Sequence, residues 1–186
     1  MDDTAPNKDQ DTRNLVDKYK GMRVDEIKQS IAFNAFPYHI AIENIQHDFN
    51  IGSIVRNANA FAASGVHIIG KKHWNRRGAM ATEKYLPLYH HRTSQDLTHW
   101  CNGQSLPIIG IDNVQTSIPL RDATLPASAV YVFGQEGPGL SPELQAICQQ
   151  IIGIEQYGST RSVNVGVASG IFMFEYTRRL KHTSAK

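Results

Sequence analysis

The 186-residue sequence has only two cysteines, Cys101 and Cys148. That is too few for a disulfide framework, so a reducing, cytoplasmic setting is expected. No apolar run approaches the roughly 20 residues that a membrane-spanning helix needs. The leader MDDTAPNKDQDTRN is acidic and lacks an apolar stretch, so it does not read as a signal peptide. No G-x-G-x-x-G follows the first candidate strand and no acid stands about 20 residues beyond it, which argues against a dinucleotide-dependent oxidoreductase. There is no internal repeat. What remains is a chain with 41% hydrophobic and 19% charged residues, the composition of one globular domain with a real core.

The net charge is only +2, but its distribution is uneven. Lys71 to Arg92 (KKHWNRRGAMATEKYLPLYHHR) carries six Lys/Arg against one acid, with Trp74, Tyr85 and Tyr89 interleaved. Asp122 to Thr160 has four acids and no Lys or Arg, and the last nine residues, RRLKHTSAK, hold four cations and no anion. Such sorting suits a basic face for an anionic partner, although a solvated loop and a basic tail would read alike. His90, His91, His99 and Cys101 lie near one another in sequence, but their spacing fits no standard zinc site, and no metal is expected.

Residues 1–14 read as a polar leader, 15–37 as a short helical extension, 38–181 as the main domain and 182–186 as a basic tail. Within the domain, strands alternate with helices. YHIAIE, VHIIG, PIIGID, VYVF and IIGIE are strand candidates. IGSIVRNANAFAASG is helical with Gly65 as its stop, TSQDLTHW is a short helix, and SPELQAICQQ starts a helix with Ser141 as N-cap and Pro142 behind it. The last helix, from Val163, is apolar on nearly every side, so a second subunit or the core of its own domain must cover it. The pattern predicts an α/β fold with a mostly parallel sheet covered by helices.

In such folds ligands collect at the carboxyl ends of the strands. Three polar, glycine-bearing stretches fall there: ENIQHDFNIGSIVRNA, FGQEGPGLS and EQYGSTRSVN. One alone would be ordinary turn chemistry; three at equivalent strand ends read as a site. The segments N-I-G-S-I-V-R-N-A, F-G-Q-E-G-P-G-L and S-V-N-V-G-V-A-S-G, in that order, resemble the three motifs of the SpoU/TrmH class of SPOUT RNA methyltransferases, over about Tyr38 to Arg179.

The resemblance implies a homodimer with a deep C-terminal trefoil knot. It also implies transfer of a methyl group from S-adenosyl-L-methionine to a ribose 2′-hydroxyl of tRNA or rRNA. A non-catalytic RNA-binding or assembly protein that keeps the fold is the alternative. By the same resemblance, Asn50, Arg56, Glu136, Ser162 and Asn164 are the catalytic group. Gly134, Gly139, Leu140, Ile154, Val163 and Asn164 bind the cofactor, and a Cβ at Gly134 would crowd it. Glu136 is expected to orient Arg56 or Asn50. The family's role for Arg56 is general base; because a guanidinium hardly ever deprotonates, a clamp on the RNA phosphate is an equal reading. Lys71, Lys72, Arg76, Arg77 and Arg161 are expected to meet RNA phosphates, with Trp74, Tyr85 or Tyr89 stacking on a base or packing inside.

Overall fold

The computed structural model describes residues 15–44, 50–160 and 162–184, with the backbone alone for 182–184. The leader and Arg161 lie outside the described residues. Seven strands form one sheet: β1 Phe36–Asn44, β2 Ala63–Gly70, β3 Leu88–His91, β4 Ile108–Ile111, β5 Ile118–Pro119, β6 Ala129–Phe133 and β7 Gln150–Gly153. They lie in the order β3-β2-β1-β6-β4-β7-β5, and every pair is parallel. The helices are α1 Val24–Phe33, α2 Ile51–Ala60, α3 Ser94–Gln104, α4 Pro142–Ile147 and α5 Val165–Ser184.

Because side chains alternate along a strand, the central strands feed two cores. Ile40, Ile42, Tyr131 and Phe133 pack with Ile51, Ile54 and Val55 of α2 and Phe172, Met173 and Tyr176 of α5. Ala41, Val130 and Val132 face the other way, onto Leu97 and Cys101 of α3 and Leu144 of α4. The sheet is therefore buried on both faces, as its unalternating apolar runs predict. Buried tyrosines spend their hydroxyls locally: Tyr38 donates to the Phe61 carbonyl at 3.0 Å and Tyr131 to that of Pro126 at 2.6 Å. A small third cluster, Tyr19, Ile27 and Tyr85, ties α1 to the domain.

Four boundaries differ from the sequence reading. Helix α2 ends at Ala60, not at Gly65; Ala62 turns the chain with φ 52°, a left-handed conformation that costs a residue with a Cβ roughly 1–2 kcal/mol. Gly65 lies inside β2, where a Cβ would stand 2.9 Å from the Tyr89 ring and 3.1 Å from His39. Helix α4 is short, and the Gln149–Gln150 end of SPELQAICQQ leads into β7. A further strand, β3, runs through the basic segment itself, and α5 continues into the expected tail.

One face of α5 is not covered by the described residues of its own chain. Phe172, Met173 and Tyr176 are buried, whereas Val167, Ile171 and Phe174 are 54%, 41% and 57% exposed. Among the described residues, no helix is long and apolar enough to cross a membrane.

Candidate active site

The carboxyl ends of β4, β6 and β7 open into a cavity of about 150 Å³. Ile111, Phe133, Ile154 and Val165 give it apolar wall; Asp112, Glu136, Asn164 and Ser162 give it polar groups. Among the described residues no lysine or arginine lines it, so the carboxylates of Asp112 and Glu136 favour a ligand that carries positive charge.

The lone carboxylate in the glycine-rich 134–140 loop has a specific place. Asn164 begins α5: its backbone carbonyl accepts from Ala168 N at 2.9 Å, and its Oδ1 accepts from Gly166 N at 2.9 Å. That cap leaves the Asn164 Nδ2 to donate to Asn50 Oδ1 at 3.0 Å and to both Glu136 oxygens at 3.1 and 3.2 Å. Asn50 stands at the N-cap position of α2 but makes no side-chain cap bond; its Nδ2 donates to Glu136 instead. Glu136 thus sits between two helix N-termini, whose positive ends stabilise an anion.

The same loop is held from both sides by carboxylates of neighbouring strands. Asp112, just after β4, accepts from Leu140 N at 2.8 Å, and buried Glu43 of β1 accepts from Ser141 N at 3.3 Å and from Gln135 Nε2 at 3.3 Å. Gln135 and Gly139 exchange two backbone hydrogen bonds at 3.0 Å. Gly137 and Gly139 have φ of 94° and 75°, which only glycine adopts at little cost. A Cβ on Gly134 would run into the backbone of Gly139 and Leu140. The loop is held by hydrogen bonds to its backbone amides and by Leu140, whose side chain packs in the core.

Most of the expected site residues meet here. Asn50, Glu136 and Asn164 form one hydrogen-bonded group, and Gly134, Gly139, Ile154, Ser162 and Val163 line the cavity. The Leu140 side chain is 2% exposed in the core, so contact of that residue with a ligand falls to its backbone. Glu136 meets Asn50, one of its two expected partners, and Asn164 as well, while Arg56 lies exposed on α2 with no ion-pair partner among the described residues. Gly134 is required by the loop's own backbone before any ligand arrives. The sequence reading also missed Asp112, Glu43 and Gln156. Asp112 was open to it, since it ends the run PIIGID at a strand's carboxyl end.

The basic segment is built differently. Lys71, Lys72, Arg76 and Arg77 are exposed in the stretch after β2. Buried Asn44 anchors its start: Nδ2 donates to the Lys71 and His73 carbonyls at 2.7 and 3.1 Å, and the Asn44 carbonyl accepts from Lys71 N at 2.9 Å. Farther on it presses against α2, where a Cβ on Gly52 would stand 2.7 Å from Ala79 N. The Arg76 guanidinium lies 5.9 Å from the half-buried Trp74 ring. Tyr85 is buried against Tyr19 and Ile27, and Tyr89 stacks on His67 at 4.6 Å between centroids, so both are packing residues. His91 belongs to a buried series in which His67 Nδ1 meets His91 Nε2 at 2.8 Å and His67 Nε2 meets His39 Nδ1 at 3.0 Å. Burial pulls the His39 pKa down to about 4 and that of His67 to about 2.

A parallel α/β sheet with a cavity at its strand ends, flanked by helix N-termini, is the architecture that places ligand sites at the carboxyl edge of the sheet. Residues 37–174 match the model of the SpoU rRNA Methylase family, and the chain belongs to that family. It is 31% identical over 148 residues to an "Uncharacterized tRNA/rRNA methyltransferase" of Mycobacterium sp., which covers 75% of this chain and 46% of that protein. It is 24% identical over 143 residues to the "tRNA (guanosine(18)-2'-O)-methyltransferase" of Escherichia coli, covering 75% of this chain and 62% of that one. The chain therefore spans about half to three-fifths of the length of these relatives. Its fold is similar to that of the AdoMet-bound rRNA methyltransferase of Sinorhizobium meliloti, with a TM-score of 0.70 at 24% identity over 81% of this chain and 60% of that one.

Proposed function

We propose that this chain methylates a ribose 2′-hydroxyl of tRNA or rRNA in the cytoplasm, with S-adenosyl-L-methionine as methyl donor. The observation that carries this reading is the convergence of Asn50, Glu136 and Asn164 at a cavity whose described lining holds two carboxylates and no cation. The cavity suits the cofactor chemically. Apolar walls match a purine, the anionic lining matches a sulfonium, and the bent 134–140 backbone makes room for a close ligand.

S-Adenosyl-L-methionine, when bound there, supplies a methyl group on a positively charged sulfur. The chain's own residues do the rest by positioning, which is worth on the order of 7–11 kcal/mol in favourable cases. Asp112 and Glu43 hold the loop; Glu136 fixes the Asn50 and Asn164 amides; Ser162 stands in the cavity wall. Arg56, exposed on α2, meets an RNA phosphate as a charged fork, the clamp role in preference to the base. Lys71, Lys72, Arg76 and Arg77 extend that contact.

The exposed Val167, Ile171 and Phe174 stripe supports a homodimer packed through α5. The trefoil knot implied by the family belongs to the same reading. Its support is the sheet order, with β6 between β1 and β4, and the return of the chain past Glu136 into α5.

The test is to incubate the protein with unmodified total RNA and radiolabelled S-adenosyl-L-methionine, then digest with alkali. Label in alkali-resistant dinucleotides is the expected result, and the size of the labelled RNA names the substrate class. Label in mononucleotides would mean base methylation instead. No incorporation in any RNA pool would favour a binding protein that keeps the fold.

A further inference from the structure

Helices α2 and α5 touch along one face of each. Asn50, Ser53 and Asn57 follow one another at spacings of three and four, so they share a face of α2. Opposite them stand Gly166, Ser169 and Gly170 of α5. A Cβ on Gly166 would lie 3.3 Å from Ser53 Cβ, and one on Gly170 would lie 3.3 Å from Asn57 Nδ2. Asn57 Nδ2 donates to the Gly166 carbonyl at 2.9 Å and to the hydroxyl of buried Ser169 at 3.0 Å. A carbonyl only accepts, so it is the amide nitrogen of Asn57 that points there. Ser169 Oγ donates to the same carbonyl at 2.7 Å.

Gly166 is thereby held at both ends, its carbonyl by Asn57 and Ser169 and its N–H by Asn164 Oδ1 at 2.9 Å. Asn164 in turn places its Nδ2 on Asn50 and Glu136. Helix α2 therefore grips the first turn of α5 at two points, Asn50 and Asn57, about two helical turns apart. One point alone would let that turn pivot; two fix its orientation. Resting on the functional reading above, we propose that Asn57 is a positioning residue for methyl transfer, setting through Gly166 where the Asn164 amide stands. Asn57 lies outside the described lining of the cavity, so it acts through Asn164 and not on the ligand. A misplacement of about 1 Å near reacting atoms can cost roughly a hundredfold in rate.

The test is Asn57→Asp, which keeps size and shape but, when ionised, turns a donor into an acceptor facing the Gly166 carbonyl. That carbonyl disfavours the anion, so the new carboxyl takes up a proton as pH falls and donates again. Affinity of the intact chain for S-adenosylhomocysteine is measured by calorimetry, and methyl transfer to unmodified total RNA by label incorporation. Each is compared with the wild-type protein at the same pH. At about pH 8.5 the variant should bind roughly tenfold more weakly and transfer roughly a hundredfold more slowly. Both deficits should shrink to within about threefold at about pH 5.5. Asn57→Leu, which never donates, should be impaired at both pH values. An Asn57→Asp protein that matches wild type at the higher pH, or whose deficit equals that of Asn57→Leu at both, would overturn the proposal and leave the functional reading intact. If Asn57→Asp is unfolded at the higher pH, Asn57→Leu decides: wild-type affinity and rate overturn the proposal, and a loss in both upholds it. A wild-type protein that neither binds S-adenosylhomocysteine nor transfers the methyl group would defeat the functional reading, and this inference with it.

Discussion

Two loops leave neighbouring parts of the same sheet edge and are built on opposite plans. The 134–140 loop after β6 turns its backbone into the site: three glycines, two at positive φ, with amides held by the carboxylates of Asp112 and Glu43. The 71–79 stretch after β2 is fastened by its backbone, through Asn44 and the close approach to Gly52, and turns its cationic side chains outward. The first suits a small ligand gripped by main chain and fixed dipoles. The second suits a long polyanion that needs charge without tight shape. On the proposed function, one fold keeps cofactor and RNA recognition on separate devices, with α2 carrying Arg56 and presenting Asn50 at its N-terminus.

The comparison breaks most sharply at Gly134. Gly134→Ala places a methyl group against the Gly139–Leu140 backbone, where the obstacle is main chain that cannot swing away, and overpacking of this kind costs about 1–3 kcal/mol. The expected outcome is loss of S-adenosyl-L-methionine binding by at least about a hundredfold, with a lowered Tm, read by calorimetry and thermal unfolding. Asp112→Ala should follow with a smaller loss: it leaves the Leu140 amide without its acceptor, worth about 1–3 kcal/mol, and should weaken the cofactor more than it affects RNA. Neutralising Arg76 and Arg77 together should act on the other device. RNA affinity should fall, and the slope of log K against log salt should flatten by roughly 0.7–0.9 for each phosphate left without its cation, with cofactor binding unchanged. An unaltered salt slope would remove these two residues from the interface.

The smallest effect expected lies away from both loops. His39 and His67 are held neutral by burial, with pKa values of about 4 and about 2, below the value of about 6.5 in an unfolded chain. The unfolded chain therefore takes up protons first as pH falls, so stability is full above about pH 6.5 and declines progressively toward about pH 4 and below. Denaturant titrations across that range should show the decline, and His67→Phe should flatten it. A decline of equal steepness in the variant would assign the acid sensitivity elsewhere.

Much of this was legible in the residues, for physical reasons that can be named. The strands VHIIG, VYVF and IIGIE declare themselves because a sheet covered on both faces needs unbroken apolar runs. The Ser141–Pro142 start of α4 is a local signal, and the structure shows the Ser141 hydroxyl accepting from Leu144 N at 3.3 Å. The three loops were visible because strand ends are where α/β folds place ligands. Strand β3 was not, since its four residues show no clear alternation and lie within a segment read for its charge; its place is fixed by pairing with β2 and by the His67 ring.

The turn at Ala62 was hidden because a residue with a Cβ does there what glycine was expected to do at Gly65. Glu43 was hidden more deeply. Its partner is a backbone amide 98 residues away, and no local pattern marks a carboxylate whose task is to hold another segment's main chain. Leu140 holds places that its motif did not show: its side chain belongs to the core and its amide donates to Asp112.

The most direct test of the two-device account is one crossed binding measurement. S-Adenosyl-L-methionine and RNA are each titrated into the Gly134→Ala protein and into the Arg76→Ala/Arg77→Ala protein. The account predicts that the glycine variant loses the cofactor while keeping RNA affinity within about threefold, and that the arginine variant does the reverse. Comparable loss of both ligands in either variant would contradict it and would mean that the two loops act as a single site.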